Sequence, residues 1–305
     1  MALPRQREGV ILRPQFRVKG KLVVVPTLGT PAVSSTMQSG LIVALMNSGL
    51  LVFDFQGAVL TAAQGVNLSE EEGRRKIINI VLLLLRAKSK SENLTCSVNG
   101  DEIIAFPNAG NFQGFSTKND LFRLLEAPHT ADESLFSKKI PITYPALHLA
   151  RVTSAFKHLD ASFGKMSETI IDELELFGKA IRAYDEQDFA SSFSLSWIVV
   201  EHEAGKTWES FVAVERAKPH DWFFGERRDL YKPKAMTLSM KMELLSHTRE
   251  VDFENYRSVF QLRKKRNDWF HSMKKVDQPT ARESILRAGK LIEKRLGFRV
   301  VPNLG

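Results

Sequence analysis

Apolar and polar positions change their rhythm along this chain. In the first 135 residues, short runs such as "KLVVVP" (21–26) and "LLVFDF" (50–55) are apolar, β-branched or aromatic, and predict strands. "LTCSVNGDEIIAF" (94–106) holds two such runs around Asn99-Gly100, a dipeptide that tolerates positive φ and so predicts a tight hairpin. Between them, "NLSEEEGRRKIINIVLLLLRAK" opens with asparagine, serine and three glutamates. Capping oxygens satisfy free N–H groups and acids suit the positive end of a helix, so a helix starts there. The turn-rich stretch 126–145 then reads as a linker or exposed excursion.

From about residue 150 the period becomes helical. Ile170, Leu174, Phe177 and Ile181 recur at helical spacing after Ser167, and Phe189, Phe193, Trp197 and Val200 form the next stripe. Further helices are predicted over roughly 252–275 and 279–296, the last with Asp277 as cap and Pro279 in its first turn. The expected fold class is therefore α+β: an N-terminal mixed α/β domain over 1–140, followed by an all-α domain over 141–305.

Composition narrows the classes. With 43% hydrophobic and 26% charged residues in a 305-residue chain, each half can bury a core, which excludes wholesale disorder. The net charge is +8 and both halves carry a basic excess, which suits an anionic partner, nucleic acid before membrane. Cys96 is the only cysteine, so neither an intrachain disulfide nor a thiolate zinc site can form, as fits a reducing cytoplasm. The N-terminus lacks the apolar core of a signal peptide, and the longest apolar run, 77–85, is too short to span a bilayer. A cytoplasmic location without membrane contact is expected.

Several motif fragments fail. "AGKT" (204–207) has Val200 where a phosphate-binding loop needs glycine, and "HE" (202–203) has Lys206 where a zinc-protease helix needs its second histidine. No two of the seven histidines lie within four residues of each other, so neither a metal site nor a cofactor is expected.

One stretch remains, "FENYRSVFQLRKKRNDWFHSMKK". On a helix, Val259, Leu262, Arg266, Trp269 and Met273 share one stripe, and Tyr256, Phe260, Asn267 and His271 a neighbouring one. Arg266, Asn267 and His271 thus interrupt apolar stripes. Burying such groups is costly unless they are paired or reach a wet cleft. A structural account remains open, with Arg266 paired to an acid such as Glu201 and His271 a satisfied core histidine.

"RNDWFH" resembles the R-x4-6-H signature of HEPN domains, with the polar residue that often follows the arginine present as Asn267. The helix pair "LRKKRNDWFHSMKKVDQPTARESILRAGKLIEKRLG" and the upstream "FASSFSLSWIVVEHEAGKTWESF", with its glutamate Glu201, resemble that family's helices, so the resemblance covers roughly 165–300. It implies a helical bundle that pairs as a homodimer. It also implies a metal-independent endoribonuclease of toxin–antitoxin or antiviral defence systems, with an antitoxin or defence-system partner. Arg266 would stabilise the scissile phosphate, Asn267 would orient His271 or bind phosphate, and His271 would act as general acid/base, leaving 2′,3′-cyclic phosphate ends. Between Arg257 and Lys275 seven bases face one acid, and Arg263, Lys264, Lys265 and Lys274 are candidate RNA contacts. Trp269 could stack on a base, though its stripe favours packing. The tyrosine that follows the histidine by two in adenylylated HEPN toxins is Met273 here, which argues against that control. The alternative is a non-catalytic HEPN module that binds RNA, nucleotide or a partner protein.

Overall fold

The computed structural model describes residues 7–11, 31–37, 40–46, 50–55, 65–89, 96–99, 103–106, 149–163, 166–216 and 237–304. The chain divides into two compact units, Met1–Ile171 with Gly305, and Asp172–Leu304. This division falls later in the chain than the 140/141 boundary expected from the change of rhythm. The expected strand 21–26 and linker 126–145 lie outside the described residues.

The first unit holds an antiparallel sheet of β1 (Arg7–Ile11), β2 (Pro31–Thr36), β3 (Ile42–Met46), β4 (Leu50–Asp54) and β5 (Ile104–Phe106), in the order β2-β3-β4-β1-β5. Val43 opposes Phe53, and Leu45 opposes Leu51. Val43, Leu51 and Phe53 are buried while Ile42 is exposed, the alternation that a pleat with one covered face requires. Helix α1 (Glu71–Ser89) begins where the acids predicted it, and its Ile77–Leu85 run is buried. Helix α2 (Leu149–Phe163), helical as its pattern predicts, packs against α1 and β2.

The hairpin expected around Asn99-Gly100 is not the pairing found. β5 pairs with β1, and residues 96–99 carry no strand. The reason is local: buried Asn79 on α1 accepts a hydrogen bond from the Val98 N–H at 2.8 Å and donates to the Val98 carbonyl at 3.3 Å. One side-chain amide therefore takes both backbone groups that a ladder would have used at Val98.

The second unit, among its described residues, holds helices and no strand. After the first turn of α3 (Glu168–Asp185), which the unit boundary crosses, come α4 (Phe189–Arg216), α5 (Leu238–His247), α6 (Phe253–Ser272) and α7 (Gln278–Leu296). α7 packs along the long α4, and α6 packs on α5 and α7. The α4–α7 crossing is close because small residues meet there. Ser196 donates to Ser284 at 2.7 Å, beside Ala281 and Ala288, all fully buried. Gly289 continues that line, for a β-carbon on it would meet Val301 at 2.2 Å and Phe177 at 2.9 Å. Asp277 caps α7 as expected, accepting from the Thr280 N–H at 2.9 Å with Pro279 in the first turn. A mainly helical bundle thus carries the stretch "RNDWFHS". Among the described residues, no helix is long and apolar enough to cross a membrane.

Candidate nucleic-acid interface

Helix α6 is set by Asp252, which accepts from the Asn255 N–H at 2.8 Å, and ends at Met273 in the left-handed region, φ 54°. The stripe drawn through Val259, Leu262, Arg266 and Trp269 does face the bundle: the first two are buried and the last two half-buried. Met273 departs from it and is 88% exposed, because the helix has already ended there. The neighbouring stripe corrects the expectation of buried polar groups. Tyr256 and Asn267 are half-buried, Phe260 and His271 are exposed, and no burial cost attaches to the histidine.

Arg266 lays its guanidinium 5.2 Å from the Phe270 ring centre and donates to the Asn267 side-chain oxygen at 3.3 Å. Glu201 is exposed on α4 and makes no ion pair with Arg266 among the described residues. No carboxylate among the described residues pairs with the guanidinium. The His271 ring stands edge-on to Phe270, with centres 5.5 Å apart. Five residues turn a helix by about 140° beyond a full turn. Arg266 and His271 thus leave α6 in divergent directions, and one chain does not bring them together.

The expected RNA contacts separate into two kinds. Lys264 is exposed. Arg263 instead donates to the Ser239 hydroxyl on α5, Lys265 donates to Thr280 at 2.7 Å, and Lys274 pairs with Asp268 at 3.1 Å. Trp269 packs edge-on against Phe193 of α4 at 6.4 Å, a core contact rather than a stacking platform.

A second constellation escaped the sequence reading. Glu173 of α3 and Glu203 of α4 are both buried, and Arg295 of α7 forms ion pairs with each. His202 Nδ1 lies 3.0 Å from Glu173 Oε1. Burial, then the neighbouring Glu173 carboxyl, raises the Glu203 carboxyl from 4.5 to about 7, against the pull of Arg295. Burial, then Lys206, lowers the His202 pKa. Glu173, His202 and Glu203 each offer an atom within 4.8 Å of the others, a set able to hold a cation. Arg295 pairs with both carboxylates, so the cluster works as an ionic clamp joining three helices. A signal was present in the sequence: Glu173 lies four residues before Phe177, Glu203 three after Val200, and Arg295 three after Ile292. Each places a charge on a buried apolar stripe.

No protein-family model, curated protein or solved structure matches this chain.

Proposed function

We propose that the chain is a metal-independent endoribonuclease of HEPN type, acting through Arg266, Asn267 and His271 as a homodimer. The observation that carries the reading is that no carboxylate among the described residues consumes Arg266, while His271 on the same helix stays exposed. A structural arginine would be paired and a core histidine covered. In the reaction, the ribose 2′-hydroxyl loses its proton to a base and attacks phosphorus. The bond to the 5′-oxygen breaks, and that oxygen takes up a proton, leaving a 2′,3′-cyclic phosphate. His271 serves one of these proton transfers, a task suited to an imidazole near neutral pH. Arg266 offsets the charge that grows on the phosphoryl oxygens. The nucleophile confines the substrate to RNA.

Because Arg266 and His271 diverge on one helix, a complete site needs the motif of a second copy. The same divergence favours a second reading, a non-catalytic module that binds RNA without cutting it. Incubating cellular RNA with the protein in EDTA separates the two. Cleavage by wild type that is lost in His271→Ala supports the ribonuclease, and binding without cleavage supports the module. Defence by growth arrest, with a neutralising partner, is the cellular role such an activity would serve.

A further inference from the structure

The exposed side of α6 carries more than the motif. Phe253 is 64% and Phe260 50% exposed, and the half-buried Tyr256 lies between them, with ring centres 6.2 and 6.3 Å apart. At 100° per residue, Phe253, Tyr256, Phe260, Lys264, Asn267 and His271 fall within about 80° of one another, and Arg257 lies about 20° beyond Lys264. The row of rings thus leads along one face, with the exposed cations Arg257 and Lys264 along one edge of it, to the polar end of the motif. Single exposed aromatics are ordinary, but three in a contiguous row, two of them exposed, forgo burial that packing would have rewarded.

We infer that this face is a track for single-stranded RNA, in which unpaired bases stack on Phe253, Tyr256 and Phe260 while Arg257 and Lys264 hold the phosphates. The inference rests on the ribonuclease reading and supplies its substrate class. Phe253 and Phe260 are seven residues apart, about 10 Å along the helix axis, close to three steps of about 3.4 Å along a stacked strand. Stacking on aromatic rings is open to any unpaired base but not to bases within a duplex. Charge decides against a second copy of this chain as the occupant of the ring row. The exposed cations beside the row are Arg257 and Lys264, and no carboxylate among the described residues pairs with either. A copy brought across a two-fold axis would set these cations against their own images, whereas a polyanion complements them. The motif end, with Phe270 60% exposed and Met273 beyond it, stays available for pairing with a second copy.

The test uses the full chain carrying His271→Ala, so that the probe is not cut, and a fluorescein-labelled twelve-nucleotide oligouridine followed by anisotropy. Phe253→Ala and Phe260→Ala are made singly and together, with Phe260→Trp as the conservative control. Each stacked base removed weakens binding about five- to a hundred-fold, so the double variant is expected to lose binding while Phe260→Trp keeps it. Lys264→Ala lowers the salt slope by about 0.7. A duplex of the same length is expected to be indifferent to ring removal. Unchanged oligouridine binding by the double variant overturns the track, and leaves the ribonuclease reading intact if wild type still cuts. Loss of binding together with loss of the dimer mass in light scattering assigns the face to a second copy and overturns the track too. If wild type neither binds nor cuts RNA, both readings fall.

Discussion

Glu203→Gln isolates the proton held by the ionic clamp. Glu203 is 2% exposed and its carboxyl is raised from 4.5 to about 7, first by burial and then by Glu173. The folded state thus holds a proton that the unfolded chain releases at lower pH. The stability due to that proton is fully present below about pH 4.5 and lost as pH rises through about 7. At about 1.4 kcal/mol per pH unit, the loss amounts to about 3 kcal/mol by pH 8. Glutamine keeps the shape and the neutral charge at every pH, so the variant should match wild type near pH 5 and exceed it near pH 8. His202, whose pKa is lowered, contributes the opposite slope: stability present above its unfolded value and lost on acidification. That slope is present in both proteins and differs by the pull of the Glu203 charge on His202, which the substitution removes. Denaturant unfolding at a series of pH values, with thermal scans alongside, reads the effect directly. The midpoint gap should open with rising pH to on the order of 10 °C. A gap that is constant with pH, or a variant that is weaker at pH 8 than at pH 5, would refute the argument and mean that Arg295 keeps Glu203 ionised throughout.

Removing the clamp's cation has a larger effect. Arg295→Met leaves Glu173 and Glu203 buried without their counter-charge and should cost about 3–5 kcal/mol, read as a shift of the denaturant midpoint. Gly289→Ala drives a methyl into Val301 and Phe177 and should cost about 1–3 kcal/mol by the same measurement. If a complete site joins Arg266 of one copy to His271 of another, then mixing inactive Arg266→Ala with inactive His271→Ala protein restores activity. The expected recovery is about a quarter of wild type, since half the dimers are mixed and each holds one intact site. Mixtures that stay inactive after exchange of subunits would exclude that arrangement.

Local rules made much of this architecture legible. The acids before α1, the Asp277 cap with Pro279, and the Val259–Leu262 stripe each report on a few neighbouring residues, and each stands where the pattern placed it. What could not be read depends on partners distant in sequence. Val98 was expected in a hairpin arm, but Asn79, nineteen residues earlier, takes its backbone groups. The apolar spacing of Phe260 suggested burial, yet the bundle covers α6 from the Val259 side and leaves Phe260 outside. Arg263 and Lys265 looked free for phosphate, but Ser239 and Thr280 on neighbouring helices engage them. Glu173, Glu203 and Arg295 lie far apart in sequence, each a single charge on an apolar stripe. Only the meeting of α3, α4 and α7 turns them into one network.

The central claim is that Arg266, Asn267 and His271 cut RNA through its own 2′-hydroxyl. The most direct measurement is the chemistry of the product ends from an unstructured RNA incubated with the full chain in EDTA, beside the same sequence carrying 2′-deoxyribose throughout. The account predicts 2′,3′-cyclic phosphate and 5′-hydroxyl ends from the RNA, no cut in the deoxy substrate, and no products with His271→Ala. Cutting of the deoxy substrate, 5′-phosphate ends, or equal cleavage by His271→Ala would contradict it.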